Sequence, residues 1–477
     1  MKVAIIGGGV IGGGWAARLR HNGIPVFVAD PDPQAPQKMD TVLAHAAHAM
    51  AALTAAPVPP LATVEFVPLA TAVVDADWII ESVPERLDLK QQLFAEIEKI
   101  APPGAVITSS TSGLRPSVLQ AQMQHPQRLL VAHPFNPVYL LPLVELVGGA
   151  QTNATIIARA ADFYESLGMH ALLIKKEEDA FIADRLLEAV WRESLWLVKD
   201  GVATTAEIDD AIRFGFGLRW AQMGLFETYR TAGGDGGMRH FLRQFGPCLK
   251  WPWTKLMDTP ELDESLIEKI AAQSDAQSGG YSIGELERFR DDNLIAILHG
   301  LRANHWGAGK TLAKWEAKLW QTKSNSAPAA KPLQMFVRHA PKHWMDYNGH
   351  MNESRYLECF SDATDAFMRQ IGADEQYVAD GFSYFTVETH IRHLQEVCVG
   401  DKIIAETQVL PSTGKKLRLF HWLKNSSGEI YATGEHLLIH VNLQTRRACE
   451  PLPAVANTAA NFAAAHSSLP KPEGALA

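Results

Sequence analysis

Three stretches of the chain carry residue types at spacings that can do chemistry. Gly7-Gly8-Gly9-Val10-Ile11-Gly12 fits GxGxxG and directly follows the apolar run 3–6. In such a turn the first glycine allows a tight bend, the second lets a pyrophosphate approach the backbone, and the third lets helix and strand pack closely. The N–H groups of the helix that opens at Val10 and Ile11 then face the phosphates. Asp30 closes the next apolar run and can accept hydrogen bonds from a ribose hydroxyl. Its charge repels a 2′-phosphate, which favours NAD over NADP; FAD, which uses the same fingerprint, is the competing ligand.

The second stretch reads VAHPFNPVYLLPLVELV over 131–147. His133 ends an apolar run, where open α/β sheets place their sites. Glu145 lies in another apolar run, and a carboxylate there must be paired or hydrogen-bonded. One reading pairs it with His133, so that the imidazole takes a proton from a substrate hydroxyl while Glu145 orients the ring. The other is a core histidine and an unrelated edge glutamate. The third stretch reads HWMDYNGHMNESRY over 343–356. Gly349 suits close backbone approach or a positive φ. The helix beginning near Asn352 offers its N-terminus to a carbonyl oxygen or phosphate, and Asp346 is a nucleophile or general base within reach. An Asx-rich turn capping a helix is the plainer reading.

Behind these stretches the elements change character twice. Strands at 3–6, 25–29, 64–67, 78–80, 105–108, 129–132 and 143–147 alternate with helical segments, which predicts a parallel, doubly wound Rossmann domain over 1–178. Residues 179–321 are periodic and predict an all-α domain. The stretch 322–333, TKSNSAPAAKPL, has linker composition. Over 334–450 one helix at about 352–371 and strands at 383–393, 402–410, 416–424 and 429–441 predict an α+β domain. The Ala-, Pro- and Ser-rich tail 451–477 is expected to be poorly ordered.

Composition narrows the function class. A chain of 477 residues holds roughly three domains. Its net charge of −9 offers no global basic field for nucleic acid or an anionic membrane. Cys248, Cys359, Cys398 and Cys449 lie far apart with no metal-ligand spacing, so neither a disulfide framework nor a bound metal is expected, and a reducing cytoplasm fits. No apolar run is long enough to cross a membrane, and the N-terminal run reads as a strand rather than a leader.

Residues 1 to about 320 resemble the 3-hydroxyacyl-CoA dehydrogenase superfamily, and more closely its L-carnitine dehydrogenase branch, through FIADRLLEAVWRE, GLRWAQMGLFETYRTAGG and WPWTKL. The resemblance implies NAD as cofactor and His133–Glu145 as the catalytic pair. It implies Ser112, from the loop SSTSGL, as a partner of substrate and nicotinamide. Glu85 and Lys90 are implied as NAD contacts. The superfamily's asparagine at position 184 is Asp184 here. An ionised aspartate cannot donate to a carbonyl oxygen, which argues against a plain hydroxyacyl-CoA substrate and suits a cationic one; a surface aspartate paired with Arg185 or Arg192 is the alternative. Trimethylammonium is recognised by aromatic faces, for which Trp191 and its many aromatic neighbours are candidates. A substrate carboxylate wants an arginine fork, for which Arg192, Arg219 and Arg230 are candidates.

DxxGHxN followed by a helix and antiparallel strands resembles the hotdog-fold acyl-CoA thioesterases of the 4-hydroxybenzoyl-CoA type over roughly 334–445. That resemblance implies Asp346 as the catalytic carboxylate, Gly349 and His350 near the thioester, Asn352 as a further candidate, and a homodimer. Glu388 and His390 are the runners-up for acid–base work. Together the two resemblances imply an enzyme that oxidises L-carnitine and hydrolyses an acyl-CoA, betainyl-CoA by the shared trimethylammonium group. The alternatives are a 3-hydroxyacyl-CoA or L-gulonate-type dehydrogenase with a generic or non-catalytic hotdog module.

Overall fold

The computed structural model describes every residue except 55, 233–236, 246–251, 256–262, 279, 324–327 and 477. The described residues form two compact units: Met1–Arg20, Ile24–His45 and Ala62–Ala313, and then His21–Gly23, Ala46–Leu61 and Lys314–Ala477.

The first unit is built on an eight-stranded sheet in the order β3-β2-β1-β4-β5-β6-β7-β8. Along the chain β1 (Val3–Ile6), α1 (Val10–His21), β2 (Val26–Ala29), α2 (Ala35–Leu53), β3 (Val64–Phe66), α3 (Leu69–Val73), β4 (Trp78–Glu81), α4 (Leu87–Ile100), β5 (Val106–Ser109) and α5 (Pro116–Leu119) alternate. Then come β6 (Leu129–Pro134), β7 (Leu143–Gly148), α6 (Ala154–Ser166) and β8 (His170–Ile174). β1 runs parallel to β2 and β4, and its four residues are all buried, as a central parallel strand requires. The sheet departs from a wholly parallel one at β6 and β7, which are antiparallel. Only residues 135–142 separate them, too few for a parallel crossover. β8 was not anticipated, because HALLI is short and only partly buried.

The rest of this unit is helical: α7 (Ala183–Lys199), α8 (Thr205–Ala211), α9 (Gly217–Ala232), α10 (Gly237–Phe245), α11 (Glu264–Ser278) and α12 (Ile283–Ala303). Reciprocal capping boxes, Thr204 with Glu207 and Ser282 with Glu285, start α8 and α12. α13 (Ala308–Lys323) belongs to the second unit from Lys314 onward, and helix occupies the first residues of the expected linker.

In the second unit β9 (Leu333–His339), α14 (Glu353–Gln370), α15 (Glu375–Ala379), β10 (Phe382–His393), β11 (Lys402–Leu410), β12 (Lys416–Lys424), β13 (Ile430–Asn442) and β14 (Arg447–Ala448) follow in order. The antiparallel sheet runs β10-β13-β12-β11-β9, and α14 lies against it, as a hotdog fold requires. Tyr356, Phe360, Ala363 and Phe367 form the helix's buried stripe. The tail corrects an expectation. Its alanines form α16 (Pro453–His466), which buries Val455, Ala459 and Phe462 and sets the Phe462 ring edge-to-face with Phe367 at 5.6 Å. Apolar spacing of three and four outweighs the small-residue composition.

The core of this unit holds two histidines that are shut off from water. His421 Nδ1 lies 2.8 Å from Thr407 Oγ1, and Thr364 Oγ1 lies 3.1 Å from both His421 Nε2 and His436 Nδ1. His436 Nε2 is buried and finds no partner among the described residues. Burial lowers the His421 imidazole well below its usual value and holds His436 down at about 4. An unfolded chain protonates these rings below about pH 6.5 while the folded one does not. Their contribution is therefore complete above about pH 6.5 and is lost as pH falls toward 4. For His436 alone the loss is about 3 kcal/mol. Denaturant melts of the wild type should weaken steeply between pH 7 and 4.5, and His436→Leu should flatten that dependence; equal slopes would refute the assignment.

Among the described residues no helix is long and apolar enough to cross a membrane, and no group of three or more His, Cys, Asp or Glu side chains is placed to hold a metal.

Candidate active sites

The glycine turn sits at the end of β1. Gly7 has φ +101°, and a Cβ there would stand 2.5 Å from the Ser82 carbonyl oxygen. A Cβ on Gly12 would stand 1.9 Å from the Gly7 oxygen, whereas one on Gly9 would meet nothing within 4 Å. The space above Gly9 and the open start of α1 at Val10 and Ile11 thus form a cradle for a pyrophosphate. Asp30 ties the turn to the end of β2 by accepting from Gly8 N at 2.6 Å and Asp32 N at 2.7 Å. A carboxylate has about four lone-pair sites, so capacity is left for a ribose.

Next to the turn lies a buried polar network. Lys90 Nζ donates to Glu81 Oε1 at 2.6 Å and to the Val83 carbonyl at 3.1 Å, and pairs with Glu85 Oε2 at 3.3 Å. Lys90 is 1% exposed and Glu81 is wholly buried. Lys90 is therefore spent on the loop that carries Glu85, while Glu85 is half-open and accepts from Thr111 Oγ1. Burial raises the Glu81 carboxyl, against the opposing pull of Lys90. Lys90→Met should destabilise the first unit by about 3–5 kcal/mol, since it leaves the buried Glu81 charge without its counter-ion, with Ser109 Oγ and Val83 N as remaining donors. Chemical denaturation checks this, and the deficit should shrink at low pH as Glu81 takes a proton.

The loop after β5 distributes its hydroxyls. Ser109 Oγ donates to Glu81, Ser110 Oγ accepts from Trp15 Nε1 at 3.0 Å and lies 3.0 Å from Ser82 Oγ, and Thr111 serves Glu85. No hydrogen bond engages the Ser112 hydroxyl among the described residues.

His133 and Glu145 face one another across the antiparallel pair β6–β7, in direct register. His133 Nδ1 lies 2.9 Å from Glu145 Oε2. The other oxygen, Oε1, accepts from Ile182 N at 3.1 Å and Ala183 N at 2.9 Å, the first amides of α7. Glu145 is wholly buried, so these donors and the helix dipole are what hold its charge. The chain enters α7 through Ala180 and Phe181, both left-handed at φ 59° and 51°. Non-glycine residues adopt that conformation at a cost of about 1–2 kcal/mol each. Buried Phe181 packs its ring 5.7 Å from the His133 ring. Asp184 follows directly in the first turn of α7. Its carboxyl is pushed up chiefly by burial, with His133 pulling it down and Glu188, Glu145 and Glu85 pushing it further up. Arg185 pairs instead with Glu178 at 3.4 Å and Arg192 with Glu188 at 3.5 Å. Asp184 thus follows directly on the amides that hold Glu145, and among the described residues neither arginine pairs with it.

In the second unit Asp346 opens a tight turn. Its Oδ1 accepts from Asn348 N at 2.8 Å, and Gly349 N donates to its carbonyl at 3.1 Å. Gly349 has φ +84°, a conformation that favours glycine. Asn352 is the N-cap of α14, its Oδ1 accepting from Ser354 N at 3.0 Å, so its side chain is committed to the helix. His350 Nε2 pairs with Glu396 Oε2 at 3.0 Å, a partner that was not anticipated. Glu388 and His390 lie exposed on β10, the edge strand. The register of β10 on β13 slips between Thr386 and Glu388, leaving Val387 as an extra residue. Such bulges re-aim side chains beside active sites.

Residues 2–177 match the family "3-hydroxyacyl-CoA dehydrogenase, NAD binding domain", 181–282 match its C-terminal domain, and 340–458 match the thioesterase-like superfamily. The chain is 54% identical over 477 residues to the L-carnitine dehydrogenase/betainyl-CoA thioesterase of Ruegeria pomeroyi, covering 99% of this chain and 98% of that one. It belongs to the L-carnitine dehydrogenase/betainyl-CoA thioesterase family. The L-carnitine dehydrogenase of Pseudomonas aeruginosa is 54% identical over 300 residues, covering 63% of this chain and 93% of that one. Among solved structures, an NAD⁺-dependent 5-dehydrogenase of a formyl-hydroxy-methylpyridine carboxylic acid is 28% identical, with a TM-score of 0.53 over 62% of this chain and 96% of its own.

In this member of the family the candidates for substrate contact are unevenly placed. Trp191 and Arg192 lie on α7, two turns beyond Asp184, and Trp191 is 54% exposed. Trp196 is taken: Lys199 and Lys255 sit over its ring at 4.3 and 4.2 Å. Arg230 is on α9, and no hydrogen bond or ion pair ties it to His133 among the described residues. Trp251 lies outside the described residues. The α7 amides on Glu145 and the β10 bulge escaped sequence reasoning because backbone N–H groups and register carry no residue-type signal.

Proposed function

We propose that the first site oxidises L-carnitine to 3-dehydrocarnitine with NAD, and that the second hydrolyses betainyl-CoA to glycine betaine and CoA. The observation that carries this reading is identity of 54% along almost the whole of a bifunctional relative. The His133–Glu145 dyad supports it independently.

With Nδ1–H donated to Glu145, the His133 lone pair is on Nε2, which takes the proton of the substrate hydroxyl. Glu145 stabilises the imidazolium, and Ser112 donates to the substrate oxygen. The chemistry NAD would supply when bound is acceptance of the hydride from C3. Gly7, Gly9, Gly12 and Asp30 suit its phosphates and ribose, and Glu85, steadied by Lys90, suits its nicotinamide half. Asp184 opposes the trimethylammonium charge, with Trp191 as an aromatic face and Arg192 or Arg230 for the carboxylate. In the second site Asp346 attacks the thioester or activates water, beside Gly349, His350 and the α14 N-terminus.

We read 1–178, 179–321 and 334–450 as the NAD-binding, helical and thioesterase domains. The protein is taken as a cytoplasmic homodimer; the exposed edge strand β10 supports pairing with a second copy. The test is NAD⁺ reduction at alkaline pH with L-carnitine, D-carnitine, L-gulonate and 3-hydroxybutyryl-CoA, together with CoA release from betainyl-CoA. Turnover selective for L-carnitine and hydrolysis of betainyl-CoA are expected; preference for the CoA ester in the first assay would sink the carnitine reading.

A further inference from the structure

Helix α1 does more than present its N-terminus to a dinucleotide. One turn deeper, its inward face carries Gly14, Trp15 and Arg18. The guanidinium of Arg18 is buried and fans onto three backbone carbonyls: Val138 from Nε at 2.7 Å, Leu167 from Nη1 at 3.0 Å and Leu141 from Nη2 at 3.2 Å. Val138 and Leu141 belong to the short segment that joins β6 to β7, and so lie between His133 and Glu145 in the chain. A planar fork spreads its five N–H donors over three nitrogens in fixed directions, whereas an ammonium gathers its three donors on one atom at the end of a flexible stem.

Gly14 precedes Arg18 by one turn and meets the same segment. A Cβ on Gly14 would stand 2.9 Å from Val138 Cβ and 3.0 Å from its Cγ2. Glycine in the middle of a helix costs about 1 kcal/mol relative to alanine, so its presence here calls for a packing reason. Trp15, between them, donates to Ser110 two residues before Ser112. The far side of the segment is held as well. Tyr139 OH donates to Asp291 Oδ2 on α12 at 2.6 Å, and Arg290 Nε holds the other oxygen at 2.9 Å.

We propose that Gly14 and Arg18 are positioning residues for the oxidation. They key the dinucleotide helix to the His133–Glu145 hairpin and so set the distance between the hydride acceptor and the hydroxyl to be oxidised. The inference rests on the dehydrogenase reading of this site. Arg18 grips backbone rather than side chains, so what it fixes is where the hairpin lies. Hydride transfer tolerates little error in that distance, and a misplacement of about 1 Å costs on the order of a hundredfold in rate.

The experiment uses the full-length protein and four variants: Gly14→Ala, Val138→Gly, the double variant and Arg18→Lys. Each is assayed for kcat at saturating NAD and L-carnitine, for NADH affinity by fluorescence, and for thermal stability. Gly14→Ala should strengthen the helix itself yet lower kcat by about tenfold or more, with NADH affinity within about twofold of wild type. Val138→Gly removes both atoms that the new methyl strikes, Cβ and Cγ2, so the double variant should regain most of the lost kcat. Arg18→Lys should lose kcat like Gly14→Ala. Wild-type kcat in Gly14→Ala would overturn the proposal. So would joint loss of kcat and NADH affinity that Val138→Gly leaves unrepaired, because the damage would then lie in the glycine turn. If the wild type fails on L-carnitine, the substrate reading falls, and the same comparison is run on whichever 3-hydroxy acid it oxidises.

Discussion

His133→Gln should lower kcat for NAD-dependent oxidation by about a thousandfold, within the range of about 10² to 10⁴ that a positioned general base supplies. The magnitude follows from how completely the ring is prepared. Its Nδ1 is held at 2.9 Å by Glu145, whose other oxygen is fixed by two helix-terminal amides, so Nε2 is the one atom left to take the substrate proton. Glutamine has similar reach but no lone pair of comparable basicity. NADH affinity should change little, because the ring belongs to β6 and not to the glycine turn. Glu145→Gln should lose less: the ring remains, but a neutral amide neither fixes its tautomer nor balances imidazolium. Steady-state kinetics on both variants decide it. A loss of less than tenfold in His133→Gln would remove the ring from the proton transfer.

Asp346→Asn should lower betainyl-CoA hydrolysis by at least about a hundredfold. The substitution keeps the shape of the turn, since an amide oxygen can still accept from Asn348 N as Oδ1 does. What goes is the charge that attacks the thioester or activates water. Carnitine oxidation by the same preparation is the internal control, because Asp346 and His133 belong to different units. If CoA release persists at the wild-type rate, the carboxylate doing the work is elsewhere, and Glu388 on the bulged strand is the next to test. Glu396 supplies a finer probe: Glu396→Gln releases the His350 ring from its partner and so separates any role of that ring from the role of Asp346.

Much of the fold was legible in the sequence, and unevenly so. Central strands such as Val3–Ile6 announce themselves because burial on both faces leaves only apolar residues between turn signals. α14 was readable from Asn352 onward because a cap and an apolar stripe agree. β8 and α16 were missed for opposite reasons. The first is short and half-buried. The second hides its stripe in a run of alanines, which suits helix and loose tail alike until a neighbour covers Phe462.

The site divides along the same line. Side-chain chemistry with fixed local spacing is determined by the sequence: the glycine turn with Asp30, His133 and Glu145 as candidate partners, and Asp346 ahead of Gly349. These depend on residue type and on distances along one or two elements, which the chain itself sets. Tertiary structure alone decided what is long-range. It turned β6 and β7 antiparallel, which made His133 and Glu145 a pair. It brought the α7 amides onto Glu145, and with them the helix start that carries Asp184, while Arg185 and Arg192 found other partners. It buried Lys90 beneath Glu85, and it laid Gly14 and Arg18 against the hairpin. In each of these the deciding group is a backbone N–H or C=O, or a neighbour from a remote element, and neither leaves a mark in the order of residue types.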